Sequence, residues 1–374
     1  MKTVKLILLI TLPVWLFFVS EISYARHAAI LVDASNGSVL HEVDATQSWY
    51  PASLTKLMTI YMAFDALNKG QIQLQDNLSA SHHAALQPNS KLGLRTGETL
   101  TVEEAILALV TRSANDAAVA LAEHIGGTEE SFAVKMTAKA HAIGMSDTHF
   151  MNATGLPHPW QVSTARDLGL LAWRTLNDYP DYYPYFSAHS FNFRGREMLA
   201  INKFTANYPG AEGMKTGFTC GSGYNLISTA SQNGKRLIGV VLGGMTSPQR
   251  YQLMMDMMDA GFADQYAANP ATHIETAAMS IGGTPPYQLG CGRVGATTVV
   301  ANNGDDDSNT PHPHLNKYKS VKVYRKGNSF SHRTVISKTK PVSKVKTKSV
   351  AKAKSKPSKA PLNVASNKTR YRHH

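Results

Sequence analysis

The chain reads as α+β, with one antiparallel sheet assembled from both ends of its body, a cluster of helices between those ends, and a disordered basic tail. Three observations carry that reading. A short apolar run at 28–32, an Asn36-Gly37 turn signal and a second run at 39–41 form a hairpin pattern. Much later, 214–219, 224–230 and 236–242 read as three strands with short polar separators, an antiparallel meander. Between the two ends the apolar spacing is helical.

The charge is divided as sharply as the fold. The 374 residues carry a net +12. Residues 311–374 hold 18 Lys+Arg and no Asp or Glu, while residues 1–310 hold 20 Lys+Arg against 26 Asp+Glu. A mildly acidic body is not a nucleic-acid-binding surface; the basic tail could attract one by charge alone, and no nucleic acid is expected as a partner because the chain reads as exported. Two cysteines, Cys220 and Cys291, exclude a disulfide-rich scaffold and a four-cysteine zinc site. They form one disulfide or remain two thiols, and the sequence leaves both open.

Residues 1–25 read as a secretory signal. Lys2 and Lys5 precede an apolar run at 6–19, and Ser23-Tyr24-Ala25 is a small-x-small cleavage site. The run is short for a spanning helix and Pro13 interrupts it, which disfavours a retained anchor. The protein is therefore expected across the inner membrane, in the periplasm, and peripherally envelope-associated if the tail binds there. The body spans 26–266. Residues 267–316 lose periodicity and read as an irregular linker, and the Lys-rich residues 317–374 read as disordered.

Within the body, Pro51 opens and Gly70 closes a segment apolar on nearly all faces, the pattern of a buried helix. Thr101-Val102-Glu103-Glu104 is a capping box opening a helix through 105–110. Further helices are predicted at 116–125, 129–143 and 250–262.

Three short motifs could do chemistry. Ser53-Leu54-Thr55-Lys56 places a hydroxyl and an amine on one face of the helix entry. A serine needs a base, and a lysine serves only if its ammonium is disfavoured, by burial and by the positive end of the helix. The Ser53 N–H then faces an oxyanion. The same spacing ends at Lys340 and Lys346 in the tail, where it means nothing. Ser113-Ala114-Asn115 lies between two helices, as a proton relay and a peptide-binding amide or as an ordinary helix cap. Lys215-Thr216-Gly217 opens the meander, as a carboxylate site with Gly217 leaving room for substrate and the Phe218 N–H as second oxyanion donor. The alternative there is a strand with an exposed lysine.

Serine motif, S-x-N and K-T-G, in that order and in those contexts, are the signature of penicillin-recognising serine enzymes. The chain resembles the D-alanyl-D-alanine carboxypeptidases, low-molecular-mass penicillin-binding proteins, from about His27 to Phe262. Tyr50-Pro51-Ala52, Arg112 through Ala118, Asn152-Ala153-Thr154-Gly155-Leu156, Ser163-Thr164-Ala165-Arg166-Asp167 and Gly213 through Thr219 share the resemblance. It implies a β-lactamase/DD-peptidase-like fold and an exported enzyme that trims the terminal D-Ala from peptidoglycan stem peptides and is acylated by β-lactams. It implies Ser53 as nucleophile, Lys56 as proton acceptor, Ser113 in the proton path and Asn115 as peptide holder. Lys215 and Thr216, with Gly217 and Phe218 beside them, would bind the terminal carboxylate and the substrate backbone. Arg250 assists that carboxylate or is a solvated arginine at a helix start.

Members of the family carry a β-rich second domain and an amphipathic anchoring helix, and neither pattern is read after Phe262. The tail is instead expected to meet an anionic envelope polymer or lipid. A class A-like β-lactamase, a DD-endopeptidase and a non-catalytic envelope-binding module stand as alternatives. The first lacks a recognisable E-x-x-L-N glutamate, and intact Ser53, Lys56 and Lys215 disfavour the last. Gly290 through Gly295 spells G-x-G-x-x-G without the strand and helix a dinucleotide needs. His41-Glu42 has Ala45 where a zinc motif needs histidine, so no metal and no cofactor is expected.

Overall fold

The computed structural model describes residues 27–266, 272–276, 280 and 283–286. The signal-like residues 1–25, Cys291, the G-x-G-x-x-G spelling and the Lys-rich tail lie outside them. In chain order the elements are β1 (Ala28–Asp33), β2 (Val39–Val43), a 3-10 turn (Ala52–Leu54), α1 (Thr55–Asn68), β3 (Asn77–Ser79), α2 (His82–Ala85), β4 (Thr99–Thr101), α3 (Val102–Arg112), α4 (Asn115–Gly126), α5 (Glu129–Ala142) and α6 (Ala165–Asp178). A second 3-10 turn (Tyr183–Ser187) precedes β5 (Ser190–Phe193), β6 (Arg196–Leu199), α7 (Lys203–Asn207), β7 (Ala211–Thr219), β8 (Gly223–Gln232), β9 (Lys235–Gly244) and α8 (Ser247–Phe262).

The expected sheet forms. Its order is β2-β1-β9-β8-β7, every pairing antiparallel, with β1 from the start of the body docked on β9 from its end. Alternation along the strands explains the layering. Ile30, Val32, Ile238, Val240 and Leu242 enter the core shared with the helical cluster. Ala29, Leu31, Leu237 and Val241 face Met254, Met257 and Met258 of α8 on the other side. Both faces of the central strands are therefore apolar, each buried leucine or isoleucine contributing roughly 2 kcal/mol. No helix among the described residues is long and apolar enough to cross a membrane.

Inside the helical cluster α1 is buried along its length, with Asp65 and Asn68 the exceptions. It packs against α3, α4, α5 and α6. The α3 capping box forms in full: Glu104 N donates to Thr101 Oγ1 at 3.1 Å and Thr101 N donates to Glu104 Oε2 at 2.8 Å. Such a cap is worth about 1 kcal/mol.

Helix α6 was not predicted as an element. Its signal is Thr164, whose hydroxyl caps the helix by accepting from Asp167 N at 3.0 Å. The Asp167 carboxylate in turn accepts from Thr148 Oγ1 at 2.6 Å and Asp147 N at 3.0 Å. Burial outweighs these hydrogen bonds and pushes this carboxyl up to about 6. A carboxyl raised in the folded state stabilises most below its unfolded value and loses that contribution as pH rises through 6. Wild-type stability relative to Asp167→Asn is expected to fall by roughly 2 kcal/mol between pH 4 and pH 7.5. Urea denaturation of both proteins across that range checks it, and a pH-independent difference would exclude it.

Thr272–Thr276, within the stretch read as linker, docks on the β1–β2 turn. Val39 N donates to Thr272 O, Ile274 N donates to Gly37 O, and Ile274 is buried. Arg166 Nη2 holds the carbonyls of His273 and Thr276. Cys220, just after β7, is disulfide-bonded.

Candidate active site

Ser53 sits in the 3-10 turn just before α1 rather than in its first α-helical turn, and Lys56 is the second residue of α1. The turn keeps them together: Lys56 Nζ and Ser53 Oγ are 3.1 Å apart. Ser53 is partly open to solvent, whereas Lys56 is fully buried.

Lys56 Nζ also donates to Asn115 Oδ1 at 2.7 Å and to Thr154 O at 2.6 Å. Both are obligate acceptors. The Asn115 amide cannot turn round freely, because its Nδ2 donates to Pro88 O at 2.9 Å. Two N–H bonds of a neutral amine are thereby committed to carbonyl oxygens. With Ser53 Oγ 3.1 Å from the same nitrogen, these two carbonyls fix the Lys56 amine beside the serine hydroxyl.

The S-x-N and K-T-G motifs meet in the same cluster. Lys215, buried rather than exposed, donates through Nζ to Ser113 Oγ at 2.9 Å and to Thr216 O at 2.8 Å. Each lysine thus holds one end of the Ser113–Asn115 turn. Neither motif residue is an N-cap: Ser113 is the C-cap of α3, in the left-handed region at φ 55°, and the N-cap of α4 is Ala114.

Asp116 steadies the opposite wall. Its carboxylate accepts from the backbone N–H groups of Leu92, Gly93 and Leu94 at 2.8–3.0 Å. The chain just before, at Ser90, accepts from Asn115 N at 2.7 Å.

Gly217 has a packing reason of its own to lack a side chain. A Cβ there would stand 3.1 Å from both Ser53 N and Leu54 N, so β7 runs directly against the serine turn. β7 is the outer strand of the sheet on this side, which leaves one of its edges free of strand partners within the sheet. Phe218 follows, partly exposed and stacked on Tyr224 with ring centroids 4.1 Å apart.

Arg250 is fully buried, which removes the solvated-arginine alternative. Its Nη2 donates to Tyr251 Oη at 2.8 Å, its Nη1 lies 3.5 Å from Gly217 O, and its guanidinium lies 5.5 Å from the Tyr224 ring centroid. It supports the K-T-G strand from behind.

Sequence reasoning assigned no role to Thr154, Asn152 or Asn225. Asn152 Oδ1 accepts from Thr154 N and Gly155 N, shaping the loop that presents Thr154 O to Lys56. Asn225 Nδ2 donates to Tyr50 O and Pro51 O, pinning the chain before Ser53 to β8. Asn152 and Thr154 stood in a family-like run. Asn225 carries no local signal, because its partners are 174 and 175 residues away in sequence.

No group of three or more His, Cys, Asp or Glu that could hold a metal ion occurs among the described residues.

Comparison with known proteins agrees with this geometry. Residues 17–246 match the family described as D-alanyl-D-alanine carboxypeptidase. The D-alanyl-D-alanine carboxypeptidase DacF of Bacillus subtilis is 34% identical over 256 residues, covering 67% of this chain and 65% of that protein. DacC of Escherichia coli is 34% identical over 288 residues, covering 74% of this chain and 72% of that protein. Among solved structures, penicillin-binding protein 5 of Haemophilus influenzae superposes with a TM-score of 0.61 at 33% identity, over 63% of this chain and 70% of that one. A penicillin-binding protein of Listeria monocytogenes in its ampicillin-bound form superposes with a TM-score of 0.57 at 31% identity, over 64% of this chain and 97% of that one. The family match begins before the described body and runs past the K-T-G strand beside the serine turn, and the chain belongs to the D-alanyl-D-alanine carboxypeptidase family.

Proposed function

We propose that the protein is a serine-type D-Ala-D-Ala carboxypeptidase that removes the terminal D-Ala from peptidoglycan stem peptides through an acyl-enzyme on Ser53. The observation that carries this reading is the Lys56 amine, 3.1 Å from Ser53 Oγ and held by two carbonyl acceptors. Lys56 takes the hydroxyl proton as Ser53 Oγ attacks the carbonyl between the two D-Ala residues. The N–H groups of Ser53 and Phe218 receive the oxyanion. Collapse breaks the C–N bond, and the leaving amine takes a proton by way of Ser113, which Lys215 holds at 2.9 Å. Water then hydrolyses the ester, with the same groups acting in reverse.

Lys215 and Thr216 receive the terminal carboxylate, and Arg250 adds positive charge behind Gly217. Asn115 and the free edge of β7 hold the peptide backbone, an extended chain adding beside a strand. A β-lactam enters as a mimic of the same acyl donor, as the ampicillin-bound relative supports. The proposed place of action is the cell envelope, where the substrate is found.

The test is intact-mass analysis after incubation with penicillin, followed by peptide mapping. One adduct on the peptide containing Ser53 is expected, absent in Ser53→Ala, together with D-Ala release from a stem pentapeptide by the wild type. Labelling of Ser53→Ala to the wild-type extent would overturn the assignment.

A further inference from the structure

We propose that Glu129 is a positioning residue for the base: its carboxylate ties together the two walls that supply the carbonyl acceptors of Lys56. This rests on the reading of Lys56 as the proton acceptor for Ser53. One carboxylate oxygen, Oε1, accepts from Ala153 N at 3.0 Å. Ala153 immediately precedes Thr154, whose carbonyl receives a Lys56 N–H at 2.6 Å. The other, Oε2, lies 2.6 Å from His83 Nε2 on α2. The chain leaving α2 reaches Gln87, which donates back to His83 O at 3.3 Å, and then Pro88. Pro88 O accepts from Asn115 Nδ2 and so orients the amide whose Oδ1 receives the second Lys56 N–H.

The Ala153 peptide is held at both ends of its residue. Glu129 takes its N–H, and Thr59, one turn along α1 from Lys56, donates through its hydroxyl to Ala153 O at 2.8 Å. Glu129 itself is the first residue of α5 and is buried, so its carboxylate has little freedom to leave this position. His83 is half-exposed. The result is a tie that reaches Lys56 through the Ala153–Thr154 backbone on one side and through Pro88 O and the Asn115 side chain on the other, while touching neither substrate nor the reacting atoms.

The tie responds to pH. The hydrogen bond that the His83 imidazole donates to Glu129 holds it above its ordinary value, against a smaller effect of burial. Glu123 of α4 and Glu130 of α5 add attraction in the same direction. Below that raised value the pair is an imidazolium and a carboxylate. Above it a neutral imidazole holds the same carboxylate more weakly, so the contribution of His83 to positioning is present at lower pH and lost as pH rises.

The experiment measures acylation of the full chain by a fluorescent penicillin between pH 5.5 and 9, with melting temperature as the control for folding. Glu129→Leu is expected to slow acylation roughly ten- to a hundredfold, the scale set by small misplacements of a reacting group. Glu129→Gln keeps an acceptor for Ala153 N and is expected to recover most of that rate. His83→Leu leaves the Ala153 bond intact and carries the test if Glu129→Leu does not fold. Its rate relative to wild type is expected to be several-fold down at pH 6 and to approach one by pH 9. Wild-type acylation in a folded Glu129→Leu, a Gln variant as slow as the Leu variant, or a His83→Leu ratio that is flat in pH would each overturn the proposal. Failure of the wild type to label at Ser53 would instead remove the reading of Lys56 on which it rests.

Discussion

Lys56→Met is expected to slow acylation of Ser53 by roughly 10²- to 10⁴-fold, the range for removing a positioned general base. Methionine retains most of the lysine stem and its volume but has no lone pair of comparable basicity. It also leaves Asn115 Oδ1 and Thr154 O, 2.7 and 2.6 Å from Nζ in the native protein, without that donor. Unmet buried acceptors cost about 1–3 kcal/mol each, so a lower melting temperature accompanies the kinetic loss. Lys56→Arg separates charge from basicity. It restores a cation in the same region but does not deprotonate, and its planar fork does not match two carbonyls and a hydroxyl arranged around one nitrogen. It is expected to remain as slow as the methionine variant. Time courses of fluorescent-penicillin labelling, with folding checked by thermal denaturation, test both. An arginine variant that acylates at the wild-type rate would show that Lys56 acts only as a positive charge.

Gly155→Ala is expected to damage stability and acylation together, although residue 155 touches no reacting atom. Its φ of +84° lies in the left-handed region, which costs an L-residue about 1–2 kcal/mol. The larger difficulty is space. A Cβ at this position would lie 1.9 Å from Ala52 O and 2.8 Å from Ser53 N. The glycine loop cannot simply back away, because Asn152 Oδ1 holds Gly155 N at 2.8 Å and the carbonyl of that same peptide, Thr154 O, is held by Lys56. Either the serine turn or the acceptor of the base must move. The summed loss is expected to be on the order of 3 kcal/mol or more, placing it among the severe single substitutions. For a body of this size that is a drop in melting temperature of about 6–12 °C. Acylation of the remaining folded protein is expected to fall more than tenfold. A variant that melts and labels like wild type would show that the Ser53 turn tolerates displacement.

The legible part of the fold was the part written in local periodicity. The Asn36-Gly37 hairpin, the capping box at Thr101 and the meander from β7 to β9 are signals spanning ten or twenty residues, and each formed where the pattern placed it. Elements without a strong local pattern were missed. α6 begins in a family-like run, and its cap depends on Thr164 and Asp167, which read as ordinary polar residues in a chain of loops. The short pairs β3–β4 and β5–β6 are three and four residues long per strand, too short for alternation to stand out.

The same division holds at the site. Ser53, Lys56, Ser113, Asn115 and Lys215 were nameable from residue order, because a hydroxyl, an amine and an amide at those spacings are identities of side chains. Residue order also carried the division of the chain into an acidic body and a basic tail. Folding supplied the direction of every donor. Which carbonyls receive the N–H bonds of Lys56, why Gly217 has no side chain, and how Glu129 reaches both walls depend on groups 24 to 164 residues apart in sequence. Such contacts are set by close packing of whole elements and by the need to pair every buried polar group. Neither constraint leaves a local trace in the chain.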